Sequence, residues 1–86
     1  MSERKVTVGA EVGLHARPAA TFVRRAAEAP MDITVCRASG GTTANGKSIL
    51  QIMGLDVRQG EDIVIRAEGD GADEVLDELA AIAGAP

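Results

Sequence analysis

Aromatic side chains are almost missing from this chain: Phe22 is the only one among 86 residues, and neither tryptophan nor tyrosine occurs. Single-stranded nucleic acid is held by stacking bases on aromatic rings, and duplexes by a basic surface. Nine basic side chains stand against thirteen acidic ones, for a formal net charge of -4, so the second feature is missing too and a nucleic-acid partner is excluded. There is one cysteine, Cys36, and one histidine, His15. Together they can neither close an intrachain disulfide nor supply a four-ligand structural zinc site. No stretch approaches the roughly 20 apolar residues that cross a bilayer, and the first residues, Met1 to Gly9, lack the apolar centre of a signal peptide. The expectation is a cytoplasmic protein without membrane insertion. Repeats, low-complexity runs and a Pro/Ser linker are absent as well, which leaves one domain, residues 1–86.

What the chain does have is apolar content, 45% of its residues, and that content is periodic. Lys5-Val6-Thr7-Val8, Asp32 to Arg37 and Asp62 to Ala67 alternate as half-buried strands. Thr42 and Thr43, between Gly40-Gly41 and the turn pair Asn45-Gly46, suit a short further strand. Ala19, Phe22, Val23, Ala26 and Ala27 recur at helical steps and predict a helix that starts just after His15 and ends before Pro30. Ser48 to Met53 predicts a short helix with Ser48 as its N-cap and Gly54 as its breaker. A last helix runs from Ala72 to Ala83, with Asp73 and Glu74 in its first turn and Val75, Leu76, Leu79 and Ile82 facing inward. The order is βαββαβα. Alternating strands imply one packed and one wetter sheet face, hence an α+β open-faced two-layer sandwich, a four-stranded antiparallel sheet with three helices on one face.

The chemistry gathers at Gly13-Leu14-His15-Ala16-Arg17-Pro18-Ala19-Ala20. Gly13 lets the backbone turn. The residues after His15 open a helix whose free N–H groups attract anions, and an imidazole there offers a nitrogen lone pair as nucleophile. Pro18 belongs in a first turn, where its missing N–H costs little, yet it biases Arg17 away from helical geometry, so either Ala16 or Pro18 could open the helix. Arg17 carries a planar fork of donors suited to phosphoryl oxygens. A plainer reading, a surface histidine before a helix, stands beside this one.

On the face opposite the apolar stripe the helical projection places Arg17, Ala20, Thr21, Arg24 and Glu28, either a solvated face or a docking one. Ile49, Leu50, Ile52 and Met53 are too many apolar residues for one side of so short a helix, so some form an exposed patch. Cys36 lies on the strand face opposite Ile33 and Val35, and no charge adjacent in sequence suggests an activated thiolate; it reads as a small hydrophobe.

The His15-Ala16-Arg17-Pro18-Ala19 run, the later Lys47-Ser48-Ile49-Leu50 with Gly54-Leu55, and the element order together resemble the histidine-containing phosphocarrier proteins, HPr, of the bacterial sugar phosphotransferase system. The resemblance spans essentially the whole chain. It implies that His15 accepts a phosphoryl group on Nδ1 from phosphorylated enzyme I, charged by phosphoenolpyruvate, and passes it to enzyme IIA components, with Arg17 stabilising the group. The chain would then be a covalent intermediate rather than an enzyme, with no cofactor or metal of its own, and a monomer. Ala20, Arg24, Leu50 and Met53 become the partner-binding residues; Ile49 and Ile52 stay open between core and patch. Ser48 corresponds to the serine that an ATP-dependent HPr kinase modifies in many relatives, with transcriptional regulators as further partners, although a capping serine explains the residue equally. The same resemblance admits a carrier or regulatory protein of a parallel system, nitrogen-linked or serving dihydroxyacetone. Pro30 to Gly46 is a little longer than in familiar members, which leaves the third strand's register open.

Overall fold

The computed structural model describes residues 1–86. Its elements are β1 (Ser2–Thr7), α1 (Ala16–Ala27), β2 (Ile33–Arg37), β3 (Thr43–Asn45), α2 (Ile49–Gly54), β4 (Asp62–Ala67) and α3 (Ala72–Gly84). The strands form one antiparallel sheet in the order β1-β4-β2-β3, with the three helices on one face, as the alternation requires. On the helix side Ile63 and Ile65 of β4 and Ile33 and Val35 of β2 are buried against Phe22, Ile52, Leu76 and Leu79. The third strand's register is Cys36 opposite Thr43, Val35 opposite Ala44 and Thr34 opposite Asn45.

Several boundaries depart from the sequence pattern, each for a physical reason. β1 begins at Ser2 rather than Lys5 because Arg4, on the helix side of the strand, is neutralised there by Asp73 and Asp77 of α3, at 3.4 and 2.9 Å. Val8 drops out of the regular ladder but keeps its pairing, its N–H donating to the Glu61 carbonyl at 2.9 Å. Ala27, expected in the apolar stripe of α1, is exposed, and Val23 and, in α3, Ile82 are only half-buried; small Ala26 and Ala83 lie at the packed centre instead. α2 ends at Gly54 itself, one residue beyond Met53, and the left-handed turn falls not there but at Asp56, with φ 52°.

Two close approaches set the geometry of the site. Gly46 is buried, its N–H donating to the Ile33 carbonyl at 2.8 Å, and a Cβ there would meet Ile33 Cγ2 at 2.7 Å. This tight turn, helped by Asn45 Oδ1 accepting from the Lys47 N–H at 2.9 Å, aims α2 back toward α1. Lys47 Nζ then donates to the Ala29 carbonyl at 2.7 Å, tying the start of α2 to the chain just past α1. Gly13, at φ 75°, presses against the Val57 carbonyl, which a Cβ would meet at 2.3 Å. The Leu14 N–H donates to that same carbonyl at 2.9 Å. The turn entering α1 and the loop leaving α2 are thereby fastened together.

Candidate functional site

His15 is the N-cap of α1, with extended backbone (φ -132°, ψ 171°), and its side chain makes no capping hydrogen bond. The imidazole, 33% exposed, is therefore free of the usual structural duty of an N-cap. Ala16 opens the helix at φ 51°, a left-handed conformation that costs an alanine roughly 1–2 kcal/mol. This settles which residue begins α1: the turn is made at Ala16, ahead of Pro18. Within the first helical turn only Ala16 and Arg17 have a backbone N–H without a backbone partner, since position 18 is proline and the Ala19 N–H donates to the His15 carbonyl at 3.3 Å. No acidic residue occupies that turn, so nothing in it offsets the positive end of the helix dipole.

The ring has one partner. His15 Nε2 lies 3.2 Å from Oδ1 of Asp56. An ionised carboxylate only accepts hydrogen bonds, so Nε2 carries the proton and the lone pair of the neutral ring is on Nδ1. Asp56 is ionised: the charge of Arg58, and after it the hydrogen bond from His15, hold its carboxyl below the ordinary range. Arg58 Nη2 reaches the other oxygen, Oδ2, at 3.5 Å. Arg37 of β2 braces the backbone here, Nη1 donating to the carbonyls of Leu55 at 2.7 Å and Asp56 at 3.1 Å, while its other end is paired with Glu61.

Arg17 is exposed at the start of α1, and Arg24 is exposed two turns further along the same helix. They are singular among the nine basic side chains. Arg4, Lys5, Arg25, Arg37, Arg58 and Arg66 all pair with carboxylates and Lys47 with a carbonyl, whereas Arg17 and Arg24 have no protein partner. Ala20 is half-buried between them. α2 packs beside α1. On it Leu50 is 77% exposed and Ile49 also faces solvent, Ile52 is wholly buried, and Met53 is half-buried against the core. Ile49 thus belongs with the patch and Ile52 with the core. Ser48 caps α2, its Oγ accepting from the Gln51 N–H at 3.2 Å.

Sequence reasoning missed three residues of this surface. Asp56 is separated from His15 by 41 positions, and the Leu14–Val57 bond with the close approach of Gly13 to Val57 brings them together. Arg58 follows from Asp56. Val12, 57% exposed just ahead of the site, interrupts no pattern and so gave no signal. The charge beside Cys36 comes from the neighbouring strand, Arg66 Nη1 of β4 lying 3.7 Å from its Sγ, whereas Arg37, next to it in sequence, is engaged by Glu61 and the loop carbonyls.

An open-faced βαββαβα sandwich that presents a lone, uncapped histidine at the head of its first helix has the build of a small phosphocarrier. The family model described as "PTS HPr component phosphorylation site" matches residues 2–84, and the chain belongs to that family, the HPr phosphocarriers of the phosphotransferase system. It is 42% identical over 80 residues to phosphocarrier protein HPr of Streptomyces coelicolor, covering 93% of this chain and 85% of that one. Among solved structures, HPr from Bacillus anthracis superposes with a TM-score of 0.88 at 41% identity over 95% of each chain. Crh, the catabolite repression protein of Bacillus subtilis, does so with a TM-score of 0.73 at 37% identity, over 96% of this chain and 93% of that one. No helix is long and apolar enough to cross a membrane.

Proposed function

We propose that His15 takes a phosphoryl group onto Nδ1 from phosphorylated enzyme I, itself charged by phosphoenolpyruvate, and hands it to enzyme IIA components, in the cytoplasm and in the service of sugar uptake. The observation that carries this reading is the pairing of an uncapped His15, its Nδ1 unpartnered, with Arg17, a guanidinium that no carboxylate of the chain has claimed. A carrier must release what it binds. One arginine and two backbone N–H groups stabilise added charge modestly, whereas an enclosed anion pocket would retain it. The partners supply the donor and acceptor centres, so the chain, acting as one unit over residues 1–86, is a covalent intermediate rather than the catalyst.

Docking uses the α1–α2 face. Arg17 and Arg24 meet acidic partner surfaces, and Ala20, Leu50 and Met53 give the apolar contact, joined by Ile49. A second reading, a regulatory protein addressed by a serine kinase and read by transcriptional regulators, draws support from the likeness to Crh and from Ser48 standing next to exposed Ile49 and Leu50. The test is direct. Incubated with enzyme I, Mg²⁺ and phosphoenolpyruvate, the chain gains one acid-labile, base-stable phosphoryl group, and His15→Ala gains none. Label retained by that variant overturns the assignment, and a panel of enzyme IIA proteins separates sugar transfer from the nitrogen-linked and dihydroxyacetone systems.

A further inference from the structure

We propose that Asp56 is a positioning residue for His15: its carboxylate keeps the proton on Nε2 both before and after a phosphoryl group sits on Nδ1, and so keeps that group transferable as pH rises. The proposal rests on His15 being the carrier residue.

Three observations converge on it. The first is the contact itself, 3.2 Å from Nε2 to Oδ1, which gives Nε2 the proton. The second is the backbone. Asp56 occupies the left-handed position just past the C-cap of α2, with φ 52°, where glycine is the residue of least cost. A side chain at such a position is held against its own conformational preference, and this one reaches the ring. The third is the bracing. Arg58 holds the far carboxylate oxygen at 3.5 Å, Arg37 holds the Leu55 and Asp56 carbonyls, and the Leu14–Val57 bond fastens this loop to the turn that carries His15.

The chemistry follows from where the charge goes. When the Nδ1 lone pair forms the N–P bond, the donor's bond to phosphorus breaks and its electron pair leaves with the donor. The ring, still protonated at Nε2, becomes a phosphorylated imidazolium with a positive charge facing Asp56. In the onward step the acceptor's nucleophile bonds to phosphorus, the Nδ1–P bond breaks, and its pair returns to Nδ1, so that a neutral imidazole departs with its Nε2 proton. Were that proton lost beforehand, the leaving group would be an imidazolate, a far poorer one. Of the charged groups, Asp56 alone touches the ring, and Arg58 of the same loop touches Asp56; Glu11 in the turn before His15 and Arg17 two residues after it are exposed with no contact to the ring, and Arg37 of β2 reaches the loop carbonyls. Asp56 is the carboxylate that touches Nε2.

Two substitutions test this without straining the backbone. Asp56→Asn keeps an acceptor and tolerates left-handed geometry but drops the charge; Asp56→Gly drops both and relieves the backbone. The wild-type and variant chains are phosphorylated with enzyme I and phosphoenolpyruvate and freed of both, and spontaneous loss of the phosphoryl group is followed across pH. In the wild type the loss slows as Nε2 deprotonates. In the variants the slowing sets in at lower pH, because the opposite charge that faced the Nε2 proton is gone. On the alkaline side the rate falls about threefold to tenfold, more for Asp56→Gly, while thermal melts show both variants folded. Superimposable pH profiles overturn the proposal. If the wild-type chain takes no phosphoryl group at all, the carrier reading has failed, and ¹⁵N NMR of the unmodified ring decides the remainder. A slowly exchanging Nε2 proton in the wild type that is lost in Asp56→Gly supports the positioning role; identical ring spectra refute it.

Discussion

Leu50 and Ile52 stand two residues apart on α2 and face opposite ways, so the same helix provides both a docking probe and its control. Leu50 is 77% exposed. A fully buried leucine contributes about 1.5–3 kcal/mol, and with three quarters of it in water less than about 0.7 kcal/mol of that is realised in the free chain. Leu50→Glu is therefore expected to leave the melting temperature within a few degrees of wild type. Against enzyme I the same change loses the burial that docking would complete and forces a carboxylate into an apolar contact. A loss of about 2 kcal/mol corresponds to roughly thirtyfold weaker binding. Ile52 is wholly buried, and Ile52→Ala should cost about 2–5 kcal/mol, lowering the melting temperature of so small a domain by roughly 10 °C or more. Met53, half-buried against the core, falls between, so Met53→Glu lowers stability as well as binding. Thermal melts and calorimetric titration with enzyme I read both quantities on each variant. Unchanged affinity for Leu50→Glu, or its unfolding, would refute the docking assignment.

Arg17→Ala removes a side chain with no protein partner, so the fold is expected to stay intact while phosphoryl transfer slows; wild-type rates would make Arg17 a mere surface residue. Because Arg17 and Arg24 are unpaired, association with enzyme I is expected to weaken as salt rises, and Arg24→Ala should flatten that dependence. Ser48→Ala deletes one capping bond and should cost about 1 kcal/mol in melts without affecting transfer, whereas stoichiometric phosphorylation of Ser48 places a dianion beside Ile49 and Leu50 and should slow charging by enzyme I. Hydrogen bonding from Arg25 holds the Glu78 carboxyl below its ordinary range. Its contribution is complete above the unfolded-state value and lost as pH falls through the lower, folded-state value. Melts over a pH series should thus show Glu78→Gln less stable than wild type near neutrality, with the gap closing in acid.

β4 is legible residue by residue, because Ile63, Ile65 and Ala67 recur at every second position and are the buried ones, and the one apolar residue out of phase, Val64, is only half-buried on the other face. β1 was legible only in its second half, since Arg4 faces the helices and owes its tolerance to Asp73 and Asp77 some seventy positions away. The choice between Ile49 and Ile52 could not be read from a helix of six residues, which has too few turns to define a face; packing against α1 made it. At the site, His15 and Arg17 lie within one motif and their chemistry is local. Asp56 is not local. Neither its left-handed backbone nor its reach to the ring has a sequence signature, because both follow from the loop after α2 being fastened to Leu14.

The central claim, that Nδ1 of His15 carries the phosphoryl group while Nε2 keeps its proton, is open to one measurement. The chain is labelled with ¹⁵N in its single histidine, phosphorylated through enzyme I, and observed by ³¹P and ¹⁵N NMR. The account predicts one phosphorus resonance coupled to Nδ1 and a proton on Nε2 at neutral pH. Coupling to Nε2, or a phosphorus resonance with no coupling to the imidazole, contradicts it.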